Sequence, residues 1–96
     1  SRSKVEDRVF RALATLHGAR MMPIEEAMGH LSDLRLGAAL GFIEGADLAA
    51  LNELFVLVQP AHLRKALGSD LADEDLDRQR AEFIRTRLLE AVPRDA

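Results

Sequence analysis

An all-α fold, a compact bundle of about five helices, is predicted by two observations. Apolar residues recur at i, i+3 and i+4 along nearly the whole chain, the spacing that lines one face of a helix. The periodic segments are separated by short gaps, each marked by glycine or proline: Gly18, Pro23, Gly41 or Gly45, Pro60, Gly68 and Pro93. Ninety-six residues are enough for a modest core and make one domain, residues 1–96.

In chain order, Ser3 is placed to cap a first helix from about Lys4 to His17, with Val5, Val9, Ala12, Leu13 and Leu16 as its buried stripe and Gly18 closing it. Pro23 suits the first turn of a second helix, where Glu25 and Glu26 favour the positive end of the helix dipole. Ile24, Ala27, Met28, Leu31, Leu34 and Ala38 continue that helix towards Gly41 or Gly45. Asp47 is the expected cap of a third helix, "DLAALNELFVLVQ", whose "FVLV" half also has strand propensity. The rhythm of Leu48, Leu51, Leu54, Phe55 and Val58 decides for a helix buried nearly all round. Pro60 ends it and starts a short fourth helix closed by Gly68. Asp73 is the expected cap of the last helix, which Pro93 terminates.

Composition excludes several function classes. With a net charge of −3, no global field draws the chain to nucleic acid or to an acidic membrane. Tyr and Trp are absent and Phe occurs four times, so a base-stacking platform is not expected. No apolar run reaches the roughly 18–20 residues of a membrane span. The absence of cysteine removes disulfides and thiolate metal sites and fits a cytoplasmic location. The opening "SRSKVEDRVF" has neither a signal peptide's apolar segment nor an initiating Met, and the chain reads as a piece of a larger protein.

Catalytic chemistry is not apparent. No Gly-rich phosphate loop leads into Lys-Ser/Thr, and the four-residue spacing of Gly37, Gly41 and Gly45 reads as close helix packing and a helix stop. His17, His30 and His62 fall on three elements without metal-ligand spacing. Met21 and Met22 read as filling a gap between helices.

The unusual feature is cationic. On "DEDLDRQRAEFIRTRL", Leu76, Ile84, Leu88 and Ala91 form the apolar stripe, and Arg80 and Arg87 fall inside it. Arg35 projects along the stripe of the second helix. A buried guanidinium needs an anion or carbonyl groups, and Asp77 is the local partner for Arg80 at i, i+3. Two readings follow: structural ion pairs, internal or across a dimer interface, or a pocket in which arginine holds a phosphoryl group. Arg78, Glu82 and Arg85 share the opposite face and read as a solvated ladder.

The blocks "EDRVFRALATLHGARMMPIEEAMGHLSDLRLGAALGFI", "LNELFVLVQPAHL" and "DRQRAEFIRTRL" resemble the C-terminal region of bacterial protein arginine kinases, the McsB-type members of the ATP:guanido phosphotransferase superfamily. The resemblance implies a helical dimerisation domain that carries a regulatory phosphoarginine-binding pocket. It implies a parent that phosphorylates protein arginines and marks proteins for Clp degradation in a stress response, with ATP and magnesium bound in a catalytic domain outside this chain. By itself the chain is then not an enzyme and has no cofactor or metal. Its partners are phosphoarginine or an arginine-phosphorylated protein and a second copy of itself, with no nucleic acid and no membrane; docking on a Clp chaperone as an adaptor is an alternative. The family's pocket motif is Arg-Asp-x-x-Arg-Ala. Asp77, Arg80 and Ala81 match it, and Leu76 stands where the first arginine belongs. Arg35 is a second anchor on the strength of its face alone, whereas Arg78 is not expected to substitute for the missing first arginine, since it points about 160° away on an ideal helix. The competing expectation is a purely structural module whose pocket Leu76 has closed.

Overall fold

The computed structural model describes residues 3–67 and 72–94. Five helices follow one another: α1 (Lys4–Gly18), α2 (Ile24–Ala39), α3 (Leu48–Leu57), α4 (Pro60–Leu67) and α5 (Asp73–Ala91). Among the described residues there is no strand, and none of these helices is long and apolar enough to cross a membrane.

Local chemistry sets most of the boundaries. At the start of α1, Glu6 N donates to Ser3 Oγ at 3.2 Å while Ser3 N donates back to the Glu6 carboxylate, a reciprocal capping box. Pro23 stands one position outside α2 as its extended N-cap, not in the first turn. At the other end Gly41 adopts φ +79°, where a side chain would be strained. Gly41 N then donates to Ala38 O and Phe42 N to Gly37 O at 2.8 Å, the paired bonds that close a helix through a left-handed residue. Asp47 caps α3 by accepting from Ala50 N at 3.0 Å. Its own N–H donates to Ala91 O at 2.8 Å, which ties the start of α3 to the end of α5. Asp73 is the first residue of α5, not its cap; Ala72 occupies the cap and offers no side-chain bond. Gly68, expected to close α4, lies outside the described residues.

α1 and α2 form an antiparallel hairpin. Arg8 meets Asp33 at 2.9 Å, and Val9 lies over Gly37 so closely that a Cβ there would overlap Val9 Cγ1. α2 also packs on α3 and α5, so three helices share its surface. The centre of the core is Leu16, Leu31, Leu34, Leu51, Ile84, Leu88, Val9 and Val58, all essentially inaccessible. Among the described residues no polar or charged residue joins it. The α5 stripe of Leu76, Ile84, Leu88 and Ala91 is buried as its period predicts. α3 departs from expectation. Only Leu51 and Leu54 are buried within it, while Val56 and Leu57 are open to solvent. The bundle covers one side of α3, and hydrophobic composition alone does not bury the other.

Candidate functional site

The first three turns of α5 gather the unusual residues. Advancing by roughly 100° per residue, Leu76, Arg80, Asp77, Ala81 and Arg78 follow one another around the helix in that order. Leu76 is 3% exposed and belongs to the core. Arg80 comes next, and its side chain retains only 14% exposure. Its Nε donates to Val58 O at 3.2 Å and one Nη donates to Asp77 Oδ1 at 3.2 Å. Val58 is the C-cap of α3, so its carbonyl is among those that a helix end leaves without an internal acceptor role. A guanidinium there satisfies that oxygen and opposes the negative end of the helix dipole. This is how an arginine enters an apolar face without an unpaired buried charge.

Asp77 is half-exposed and borders a groove of about 440 Å³ on its other side. One wall is the α1–α2 connection from Met21 to Ile24, and the facing wall is Asp77, Arg78 and Ala81 of α5. Met22 is buried at 9% exposure, whereas Met21 stands 76% exposed at the lip, so only one of the two methionines fills a gap. Ala81 is 5% exposed and borders the same groove. Arg78 forms an ion pair with Asp75 across one turn of the exposed surface.

Three further arginines differ from their sequence assignment. Arg35 does not join this groove; its guanidinium lies over the Phe55 ring, 4.0 Å from the centroid, in a separate cleft with Ser32, Leu36 and Ala39. That arrangement satisfies the cation by stacking on an aromatic face. Arg85 is not part of a solvated ladder: it is 21% exposed and its Nε donates to Ala19 O at 3.1 Å, while it also pairs with Glu82. Arg87, expected in the buried stripe, is 56% exposed, 3.7 Å from Glu90 and over the Phe83 ring, 5.1 Å from its centroid.

The family model for the protein-arginine kinase McsB C-terminal domain matches residues 2–96. The chain belongs to this family. Protein-arginine kinases are its relatives at 49% identity in Symbiobacterium thermophilum, over 91% of this chain and 25% of that protein, and at 44% in Halothermothrix orenii, over 88% and 24%. The relative in Syntrophomonas wolfei is 46% identical over 88% of this chain and 24% of its own length. The chain thus spans about a quarter of the length of these curated relatives.

Against the arginine-kinase motif Arg-Asp-x-x-Arg-Ala, the structure brings Asp77, Arg80 and Ala81 onto adjoining faces of α5. It sets Arg35 apart. The angle of about 160° argues against Arg78 as a replacement for the missing first arginine. That angle holds, but Asp77 and Ala81 lie between the two arginines, so Arg78 borders the same groove as they do. A helical wheel shows the angle; it does not show that Met21–Ile24 lies opposite. Asp77 accepts from guanidinium nitrogens, and the flanking cations attract an anion. Among the described residues no group of histidines and carboxylates could hold a metal ion. His17 on α1 buries Nε2 without a hydrogen-bond partner, whereas His30 on α2 has Nε2 3.4 Å from Glu26 Oε1, outside good hydrogen-bond geometry.

Proposed function

We propose that this chain is the assembly and phosphoarginine-sensing domain of a protein arginine kinase, with phosphoryl transfer left to the remainder of the parent. The observation that carries the sensing role is the Arg80–Asp77 pair. It is held part-buried by Val58 O on one side, and its carboxylate opens on a groove on the other. Asp77 receives the guanidinium nitrogens of the ligand, and arginine meets its phosphoryl oxygens. With Leu76 in the core, one charge-assisted bond of the family motif is missing. Such a bond contributes about 1.5–3 kcal/mol, so binding is weaker by roughly tenfold to more than a hundredfold than with both arginines. Calorimetry with free phosphoarginine tests the reading. Saturable heat is expected, with at least a tenfold loss in Asp77→Ala. A folded wild-type protein that gives no heat at millimolar ligand would remove the sensing role and leave assembly. The purely structural reading has its own support, since Arg80 already has two partners; it predicts that null result.

A further inference from the structure

We propose that the cleft between α3 and the end of α5 docks an unmodified arginine side chain of a protein substrate and releases it once that arginine is phosphorylated. The choice of a substrate protein rests on the arginine-kinase reading of the parent; the cleft itself shares no residue with the sensing site. Its volume is about 310 Å³. Leu54 and Ala91, at 3% and 6% exposure, form an apolar floor, and Leu57 stands 38% exposed at the edge. Carboxylates border it from both walls, Asp47 and Glu53 on the α3 side and Glu90 on α5. Arg87 is the cation on its border.

The fold leaves these carboxylates acceptor capacity. Asp47 accepts from Ala50 N through Oδ1 at 3.0 Å, which leaves Oδ2. Glu53 is exposed and makes no hydrogen bond or ion pair with the described residues. Glu90 lies in the last turn of α5, where the helix dipole favours a cation and disfavours a carboxylate, and that turn holds no basic residue. Its partner Arg87, one turn back, is 3.7 Å away, too far for a hydrogen bond, and is itself 56% exposed. Arg87 has a second seat over the Phe83 ring, so an incoming cation displaces it from Glu90 without orphaning it. A cation in the cleft thus answers a charge that α5 leaves unbalanced. Arginine suits the rest of the cleft. Its methylene stem packs on Leu54 and Leu57, and its planar guanidinium presents five donors in a fork that meets carboxylates from two walls at once. A lysine ammonium is a compact, strongly hydrated point charge and gains less from two separate walls. A phosphoryl group on the guanidinium brings negative charge among the carboxylates, and like-charge repulsion expels it.

Amide NMR of the folded chain tests this, with titrations of end-blocked Gly-Arg-Gly, its lysine analogue and its phosphoarginine analogue. The arginine peptide is expected to give saturable shifts at the amides of Ala50, Glu53, Leu57 and Glu90. The lysine peptide should bind severalfold more weakly, and the phosphorylated peptide should leave these amides unmoved. Glu53→Gln and Glu90→Gln should each weaken the arginine peptide severalfold while thermal melting stays close to wild type, since both side chains are exposed. Asp77→Ala should leave the arginine peptide's binding unchanged. An arginine peptide that moves none of these amides at millimolar concentration, or that binds both glutamine variants within twofold of wild type, overturns the inference and leaves the proposed function standing. Equal affinity for the lysine peptide overturns the arginine assignment, and cleft binding that survives phosphorylation overturns the release.

Discussion

Arg80 performs two tasks that substitution separates. Its bond to Asp77 joins side chains one turn apart at a half-exposed carboxylate, an arrangement that contributes little. Its bond to Val58 O is different, because it fills the acceptor at a helix end and the guanidinium is mostly covered. Arg80→Ala orphans that carbonyl, and a loss of about 1.5–3 kcal/mol is expected, the range for a hydrogen bond to a charged group. Asp77→Asn should cost under about 1 kcal/mol. Urea unfolding of both variants measures the difference; equal effects would show that Val58 O contributes nothing beyond the ion pair. The Arg80–Asp77 partnership was legible in the sequence because an i, i+3 spacing is local. Val58 O was not, since the acceptor is a backbone atom 22 residues away at the end of another helix. Arg35 fails to join the site for a related reason. The stripe it shares with Met28 and Leu31 shows which way it faces, and nothing in that stripe shows that Phe55 of α3 is there to receive it.

At the scale of elements, the helices and their order were readable because each carries its own punctuation: the Ser3 capping box, the Asp47 cap, the left-handed Gly41. What the pattern under-determined was the tertiary side of each helix. α3 is the clearest case, since all but Asn52 and Glu53 of it is apolar, and packing against α2 and α5 buries Leu51 and Leu54 while leaving Val56 and Leu57 open. The α1–α2 hairpin shows the opposite situation, where one glycine specifies how near two elements come. Gly37 has ordinary helical backbone, so its need is spatial: the added Cβ would meet both Val9 methyls and Ile43 Cδ1. Gly37→Ala gains a little helix propensity, but the overlap forces the helices apart or Val9 off its rotamer, which typically costs about 1–3 kcal/mol. Net destabilisation is expected in thermal or urea unfolding. Val9→Ala in the same chain should recover part of the loss, because the two substitutions compete for one volume and are not additive. An additive double variant would mean that the hairpin relaxes by another route.

For the molecule as a whole, the proposed assembly needs a surface, and the surface proposed for it is the exposed apolar side chains of α2 and α3. Leu36 on α2 and Leu40 at its C-cap are 38% and 54% exposed, and Val56 on α3 is 55% exposed. Leu36 borders the same cleft as Phe55, the residue that precedes Val56. Leu36 and the Arg35–Phe55 stack line one cleft between α2 and α3, and the proposed face is this cleft together with the exposed Leu40 and Val56. A second copy placed on this face through a two-fold axis would bury the same residues twice, as a closed dimer requires, and would set an aromatic and an arginine at the centre, the residue types that dominate interface energetics. A stable interface removes about 800 Å² from each partner, so two exposed anchors replaced by charge should weaken it strongly. Leu40→Asp and Val56→Asp are each expected to raise the dimer dissociation constant at least tenfold in sedimentation equilibrium. Thermal stability at low concentration should remain within about 0.5 kcal/mol of wild type, because neither side chain is part of the core. Asp77→Ala, on the groove, should leave self-association unchanged, which separates the assembly face from the sensing site. A wild-type protein that stays monomeric at the highest concentration would remove dimerisation from this domain. A dimer indifferent to both aspartates would move the interface off the α2–α3 face.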